Sequence, residues 1–395
     1  MLSLRPTCRF CVATTTAAAT TISTQKSKPK TLDEPALVKL KAERNPEKLF
    51  HLFKANAPNR LVIENRFAFE DTVARLAGAK RFDYIENILE HQKTLPQGRR
   101  EGFIVRIIML YGKVGMTGHA LQTFYTMHHL GCTRTVKSFN AAFKVLAQTF
   151  DLEAIQVFLD EVPQQFYITP DAFSLNIIIK AFCDMGILDS AYLIMVEMEK
   201  MGIQADVVTY TTLISAFYKN NRSEVANGLW NLMVRKGCLP NLATFNARIQ
   251  YLVNQRRAWK ANSLMGKMQL FGINPDEVTV NLVIKGFYQA GYPEMARRVY
   301  SALCEKGYKP NRMIFQTLIH YECIAGDFSL AFRISKDSME RNWFPSVHTL
   351  CKLLEGLWKK AEYRKARVIM ILIQRRKPPY STDELEVFQS ILSKG

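Results

Sequence analysis

The sequence predicts an all-α solenoid built from helix-turn-helix repeats of 35 residues. Three observations carry that prediction. Between Ala172 and Asn311, four 35-residue segments run end to end, opening AFSLNIIIKAF, VVTYTTLISAF, LATFNARIQYL and EVTVNLVIKGF and closing MGIQAD, KGCLPN, FGINPD and KGYKPN. Self-similarity at a fixed period of roughly 20 to 50 residues marks a stacked-repeat architecture. Each segment also carries two blocks of apolar residues at helical spacing: in 207–241, Tyr210, Leu213, Ile214 and Phe217, then Val225, Ala226, Leu229, Trp230 and Met233. Finally, small residues and helix breakers stand at fixed places. Ala120, Ala191, Ala226, Ala261, Ala296, Ala331 and Ala366 hold the twentieth position, where two helices must approach closely. Gly131, Gly202, Gly237, Gly272 and Gly307 hold the thirty-first, where a left-handed helix end favours glycine. Pro240, Pro275, Pro310 and Pro345 follow at the thirty-fourth and prevent the helix from continuing.

Taken from the N-terminus, residues 1–30 are rich in Thr, Ala and Ser, hold Arg5, Arg9, Lys26, Lys28 and Lys30, and contain no acid. This is the composition of an organellar transit peptide and stands outside the fold. Arg5 and Arg9 would share a helical face beside Leu2, Leu4 and Phe10, which favours a mitochondrial destination, with the chloroplast as the alternative. Residues 31–65 show Leu37, Leu40, Leu49, Leu52 and Phe53 at helical spacing, broken by Asn45-Pro46. Two helices meeting at that proline are expected to cap the first repeat.

The period extends both ways to nine units: 66–100, 101–135, 136–171, 172–206, 207–241, 242–276, 277–311, 312–346 and 347–381. Unit 136–171 has 36 residues: its inter-helix turn, Gln148 to Glu153, reads as one residue short, and its tail VPQQFYITPD reads as longer than its counterparts. Residues 382–395 form a C-terminal tail with one short capping helix. Of 395 residues, 48% are hydrophobic, and Lys plus Arg outnumber acids by 53 to 35. The net charge is +18, and the five cations of residues 1–30 leave about +13 on the remainder, favouring a polyanionic partner. Cys8 and Cys11 form a lone Cys-x-x-Cys inside the leader, and the other six cysteines are scattered, so reduced thiols are expected and no metal site. No run approaches twenty consecutive apolar residues, so no membrane partner is expected.

Helix, turn, helix and a closing Gly-x-x-Pro-Asp/Asn at a 35-residue period resemble the pentatricopeptide repeat family, in its plain class of uninterrupted units. The unit VVTYTTLISAFYKNN through NGLWNLMVRKGCLPN matches along its whole length. Tetratricopeptide repeats differ in period and lack this pattern. The leader and overall length resemble small plant organellar members. The resemblance implies a right-handed superhelix whose first helices bind single-stranded RNA, one base per repeat, with two or three side chains per repeat acting as a code.

In the resembled family the fifth and last residues of a unit select the base. Carried over, Asn140 with Asp171, Asn176 with Asp206, and Asn246 with Asp276 look like uracil readers. Thr211 with Asn241 looks like an adenine reader, and Asn281 with Asn311 like a pyrimidine reader. The implied footprint is 5′-UUAU(C/U)-3′. The chemistry suits the role, because an Asn amide offers both donor and acceptor to a base edge and an Asp can orient that amide. The pairs Glu70/Arg100, Val105/Thr135, Gln316/Ser346 and Cys351/Ser381 match no established pairing.

Residues four and eight positions beyond the fifth share its helical face. Lys144, Lys180 and Lys285 hold the ninth position and Lys113 and Lys219 the thirteenth, in register to hold RNA phosphates. Phe173, Val208, Ala243, Val278 and Met313, at the second position, are placed either to wedge between bases or simply to pack. None of the seven histidines forms a His-x-Glu with a later Cys-x-x-Cys, and no Gly-rich phosphate loop appears, so no enzyme, cofactor or small-molecule substrate is expected. The leading expectation is an organellar RNA-binding protein acting in RNA stabilisation, processing or translation. The alternative is a protein-binding scaffold or a component associated with the mitochondrial ribosome or other RNA-processing proteins.

Overall fold

The computed structural model describes residues 35–305, 307 and 310–393; the expected transit peptide, Cys8 and Cys11 lie outside them. The described residues form 22 α-helices joined by short turns and 3-10 segments, with no strand among them. The chain divides into two compact units at Gln92/Lys93.

In the first unit, helices Pro35–Ala42 and Pro46–Ala55 meet where sequence places the break, with Asn45 accepting from the Glu47 and Lys48 backbone N–H groups. A third short helix, Arg60–Glu64, was not foreseen. These helices sit on Arg66–Gly78: the Arg75 guanidinium donates to the carbonyls of Glu43 and Leu40 at 2.5 and 2.7 Å. Phe53 meets Phe69 edge-on at 4.9 Å.

The second unit is a solenoid of helical hairpins. In 207–241, Asp206 opens helix Val207–Lys219 by accepting the Thr209 N–H at 2.8 Å. The chain reverses at Asn221, with φ 57°, and re-enters helix at Ser223–Arg235. Gly237, with φ 75°, ends that helix while the Cys238 N–H donates back to the Met233 carbonyl at 3.0 Å. This is the left-handed ending that glycine permits without a Cβ penalty. Each first helix packs on its own second helix and on the first helix of the following hairpin. The seven alanines of the twentieth position are fully buried. Phe217, Phe245 and Phe287 fill the layer between helices, each stabilising by roughly 1.5–3 kcal/mol. The final helix, Thr382–Ser393, covers Val347–Lys359.

The fifteenth position is left-handed in every repeat: Lys80, Gly115, Phe150, Gly186, Asn221, Arg256, Gly291, Gly326 and Ala361. That regularity corrects the expectation for 136–171. Its turn, centred on Phe150, has ordinary length, and the second helix begins at Leu152 in the usual register. The extra residue lies downstream, in the 14-residue helix Leu152–Gln165 with Pro163 inside it, and Tyr167 takes the left-handed place held by Gly131, Gly202, Gly237, Gly272, Gly307 and Asn342 in other repeats.

Candidate functional site

The fifth, last and next-third residues of a repeat converge. Asn176 donates its amide to Asp206 Oδ1 at 3.2 Å, while the Thr209 hydroxyl lies 2.6 Å from Asn176 Oδ1. Thr209 also donates its N–H to Asp206 Oδ1 at 2.8 Å, and the same oxygen lies 2.9 Å from its hydroxyl, which has one proton for the two acceptors. The arrangement recurs around Asn246, where the Thr279 hydroxyl lies 2.7 Å from both Asn246 Oδ1 and Asp276 Oδ1. Around Thr211, its hydroxyl meets Thr244 Oγ1 at 2.7 Å, and Thr244 in turn bonds Asn241 at 2.9 Å. The three side chains come together because the last residue of one repeat is also the N-cap of the next repeat's first helix. Asp171, Asp206, Asn241, Asp276, Asn311 and Ser346 all accept from the backbone N–H three residues on. The small polar side chains at unit ends therefore have a capping role that the sequence reading did not assign.

The carboxyls are tuned by this setting. Burial pushes Asp206 up, but the Thr209 N–H and hydroxyl and the Asn176 amide outweigh it and hold the group below its ordinary value. Asp276 is lowered against burial in the same way, by Thr279 and the Asn246 amide. Asp171 is lowered chiefly by the Ser174 N–H, with burial opposing.

Two of the expected pairs are not joined. Asn140 is 8% exposed and makes no side-chain hydrogen bond among the described residues, while Asp171 is engaged by Ser174 at 2.8 Å. Asn281 is 7% exposed and its Oδ1 has no partner, because Ile314 stands where other repeats place a hydroxyl. Its expected partner Asn311 donates instead to Glu277, the first residue of the same repeat. Thr135 is diverted likewise, donating to Glu101 at 2.7 Å. Conversely, Gln316, which matched no pairing, has the closed geometry: its amide donates to Ser346 and Thr349 at 3.2 and 3.1 Å, and its Oε1 accepts the Ser346 N–H at 3.0 Å.

The second position is solvent-facing. Phe173 is 65% exposed and Val208 57%, with Ala243, Val278 and Met313 also exposed, so these residues keep apolar surface open to solvent. Among the lysines, Lys180 is tied to Asp184 one turn along. Lys144, Lys219 and Lys285 form no ion pair among the described residues, and the Lys113 side chain points from an exposed position. His320 continues the ninth-position row beyond Lys285; burial lowers its pKa, and the nearby cations Lys352 and Lys285 and the ring of His348 add to the shift.

A profile described as the PPR repeat family matches residues 170–219, 205–247 and 240–289, and one described as the PPR repeat matches 278–308. The mitochondrial pentatricopeptide repeat-containing protein At1g80150 of Arabidopsis thaliana is 65% identical over 243 residues, 60% of this chain and 61% of that protein. The small ribosomal subunit protein mL103 (rPPR7), also of Arabidopsis thaliana, is 31% identical across 96% of this chain and 91% of its own length. The chain belongs to the pentatricopeptide repeat family. The crystal structure of the pentatricopeptide repeat protein PPR10 from maize superposes with a TM-score of 0.50 at 17% identity, covering 90% of this chain and 59% of that one, a likeness of fold.

Within this pentatricopeptide repeat chain, sequence reasoning missed the third-position hydroxyls Ser174, Thr209, Thr244, Thr279 and Thr349, all buried. The spacing Asp/Asn-x-x-Ser/Thr at four successive repeat boundaries, DAFS, DVVT, NLAT and DEVT, with SVHT as a variant before Thr349, is the signal that reveals them. The Arg134 guanidinium donates to Nδ1 of His128, beside Gly131, at 2.7 Å, and no group of acidic, His or Cys side chains suited to a metal occurs among the described residues. No helix among them is long and apolar enough to cross a membrane.

Proposed function

We propose that this chain is a mitochondrial single-stranded RNA-binding protein whose central repeats each take one base, with 5′-UUAU(C/U)-3′ as the footprint. The observation that carries this reading is the convergence of fifth, last and next-third residues around Asn176, Thr211 and Asn246. It leaves part of each reader's hydrogen-bonding capacity for a base edge. Beside each reader, an exposed second-position residue offers apolar contact to the base faces, and Lys144, Lys219 and Lys285 supply phosphate contacts along the same helical face. Such a protein acts by occupancy: it covers a short site and so shields a transcript end, blocks a hairpin or keeps a translation start open. The mitochondrial assignment follows the name of the 65% identical relative.

A second reading is association with a mitochondrial ribosome, favoured by the relative matched over 96% of this chain, which is named a small ribosomal subunit protein. Two measurements test the pair. Affinity for UUAUC-containing and scrambled RNAs at two salt concentrations should differ between sequences and fall with salt; equal, salt-independent affinity refutes base reading. Sedimentation with ribosomal particles after messenger removal should be lost under the first reading and kept under the second.

A further inference from the structure

We propose that the third-position hydroxyls Thr209 and Thr279 are positioning residues that fix which way the Asn176 and Asn246 amides point, and so decide between uracil and cytosine. This deepens the base-reading function above and rests on it. An Asn amide presents one donor edge and one acceptor edge. Uracil presents its N3–H donor beside a carbonyl, whereas cytosine presents an N3 acceptor beside an amino donor. Turning the amide over therefore exchanges one preference for the other, and a reader discriminates only if the amide is held.

Two groups hold it. A carboxylate only accepts, so Asp206, 3.2 Å from Asn176 Nδ2, requires the amide nitrogen on its side. Thr209 marks the oxygen side with a hydroxyl whose one proton has Asn176 Oδ1, at 2.6 Å, as its nearer acceptor and Asp206 Oδ1, at 2.9 Å, as the farther. Thr279 stands in the same place, 2.7 Å from both Asn246 Oδ1 and Asp276 Oδ1. Because each threonine belongs to the following repeat, the preference of one repeat depends on the next. The repeat 277–311 supplies the contrast within the same chain. Ile314 has no hydroxyl, Asn311 is turned to Glu277, and Asn281 Oδ1 is buried without a partner. Its amide is held at neither end.

The experiment uses the full chain and short RNAs that differ at one nucleotide. Wild type should favour 5′-UUAUC-3′ over 5′-UUACC-3′ by about tenfold or more. Thr279→Val, which keeps shape and the backbone cap, should bring that ratio to within about threefold, and Thr279→Ser should restore it. Ile314→Thr should create a preference for 5′-UUAUU-3′ over 5′-UUAUC-3′ of about threefold, which wild type lacks. If Thr279→Val shifts affinity for both RNAs equally and leaves the ratio at the wild-type value, Thr279 is merely structural and the inference is overturned. If wild type itself does not separate 5′-UUAUC-3′ from a scrambled RNA, base reading fails before any variant is compared.

Discussion

The amide of Asn311 donates to Glu277, the residue that opens its own repeat, and Thr135 makes the same bond to Glu101. These are the two repeats of the second unit that begin with an acid. An acceptor at the first position thus draws the unit-ending side chain away from the base reader. Glu277→Val, giving the residue found at Val207, removes that competitor. The base preference at the fifth nucleotide of the footprint should then change by about three- to tenfold across 5′-UUAUN-3′ RNAs. Glu277→Gln keeps an acceptor oxygen and should behave as wild type; an unchanged profile in Glu277→Val would remove the competition argument.

Asp206 has two jobs that substitutions separate. As N-cap of Val207–Lys219, its replacement by Ala should cost about 1 kcal/mol, read by chemical denaturation. Asn retains the capping oxygen, so Asp206→Asn should stay near wild-type stability while relaxing the uracil preference of repeat 172–206. The pH dependence follows from the lowered carboxyl. A folded-state value below the unfolded one gives stability that is present above the ordinary 3.8 and lost as pH falls through the folded value. Thermal melts between neutral pH and pH about 3 should therefore show less acid destabilisation in Asp206→Asn than in wild type.

The stacking of repeats was legible because its determinants are local and periodic: an alanine that lets helices touch, a glycine that turns left-handed, a proline that forbids another turn. Position five was legible for a related reason, since an Asn among Leu, Ile and Phe on a helix is conspicuous. What the sequence hid depends on where side chains reach. The diversion of Asn311 by Glu277 spans a whole repeat, and nothing in the spacing says which of two acceptors an amide will choose. The Thr279 contact joins two repeats that were read separately. By contrast, the Lys180–Asp184 pair is an ordinary i,i+4 contact and was there to be read. The Phe150 turn was misjudged because Gln148 to Glu153 was read as one residue short, whereas the turn has ordinary length and the extra residue lies in the helix that follows.

That ion pair makes the lysines unequal. RNA binding to single strands loses affinity with salt at a slope of roughly 0.7 per neutralised phosphate. Replacing Lys144, Lys219 and Lys285 together by Ala should flatten the slope of log affinity against log salt by about 2 without changing sequence preference. Lys180→Ala should flatten it less than any of these singly, because Asp184 already neutralises that ammonium. A triple variant with the wild-type slope would place the phosphates elsewhere.

The most buried charge in the second unit lies away from the readers. Glu322 is 0% exposed at a place where Phe217 and Phe287 stand in earlier repeats. Arg297 grips it with two bonds at 2.8 and 2.6 Å, and the Tyr288 hydroxyl donates to it. A buried ion pair is costly to desolvate, and removing one partner strands the other. Arg297→Met should therefore cost about 3–5 kcal/mol, seen as early urea unfolding of repeats 277–346. Replacing the whole cluster with Tyr288→Phe, Arg297→Met and Glu322→Leu should restore wild-type stability or exceed it by about 1–4 kcal/mol. If the single substitution were harmless, water would have to reach Glu322, and hydrogen exchange along Arg312–Ala325 would report it.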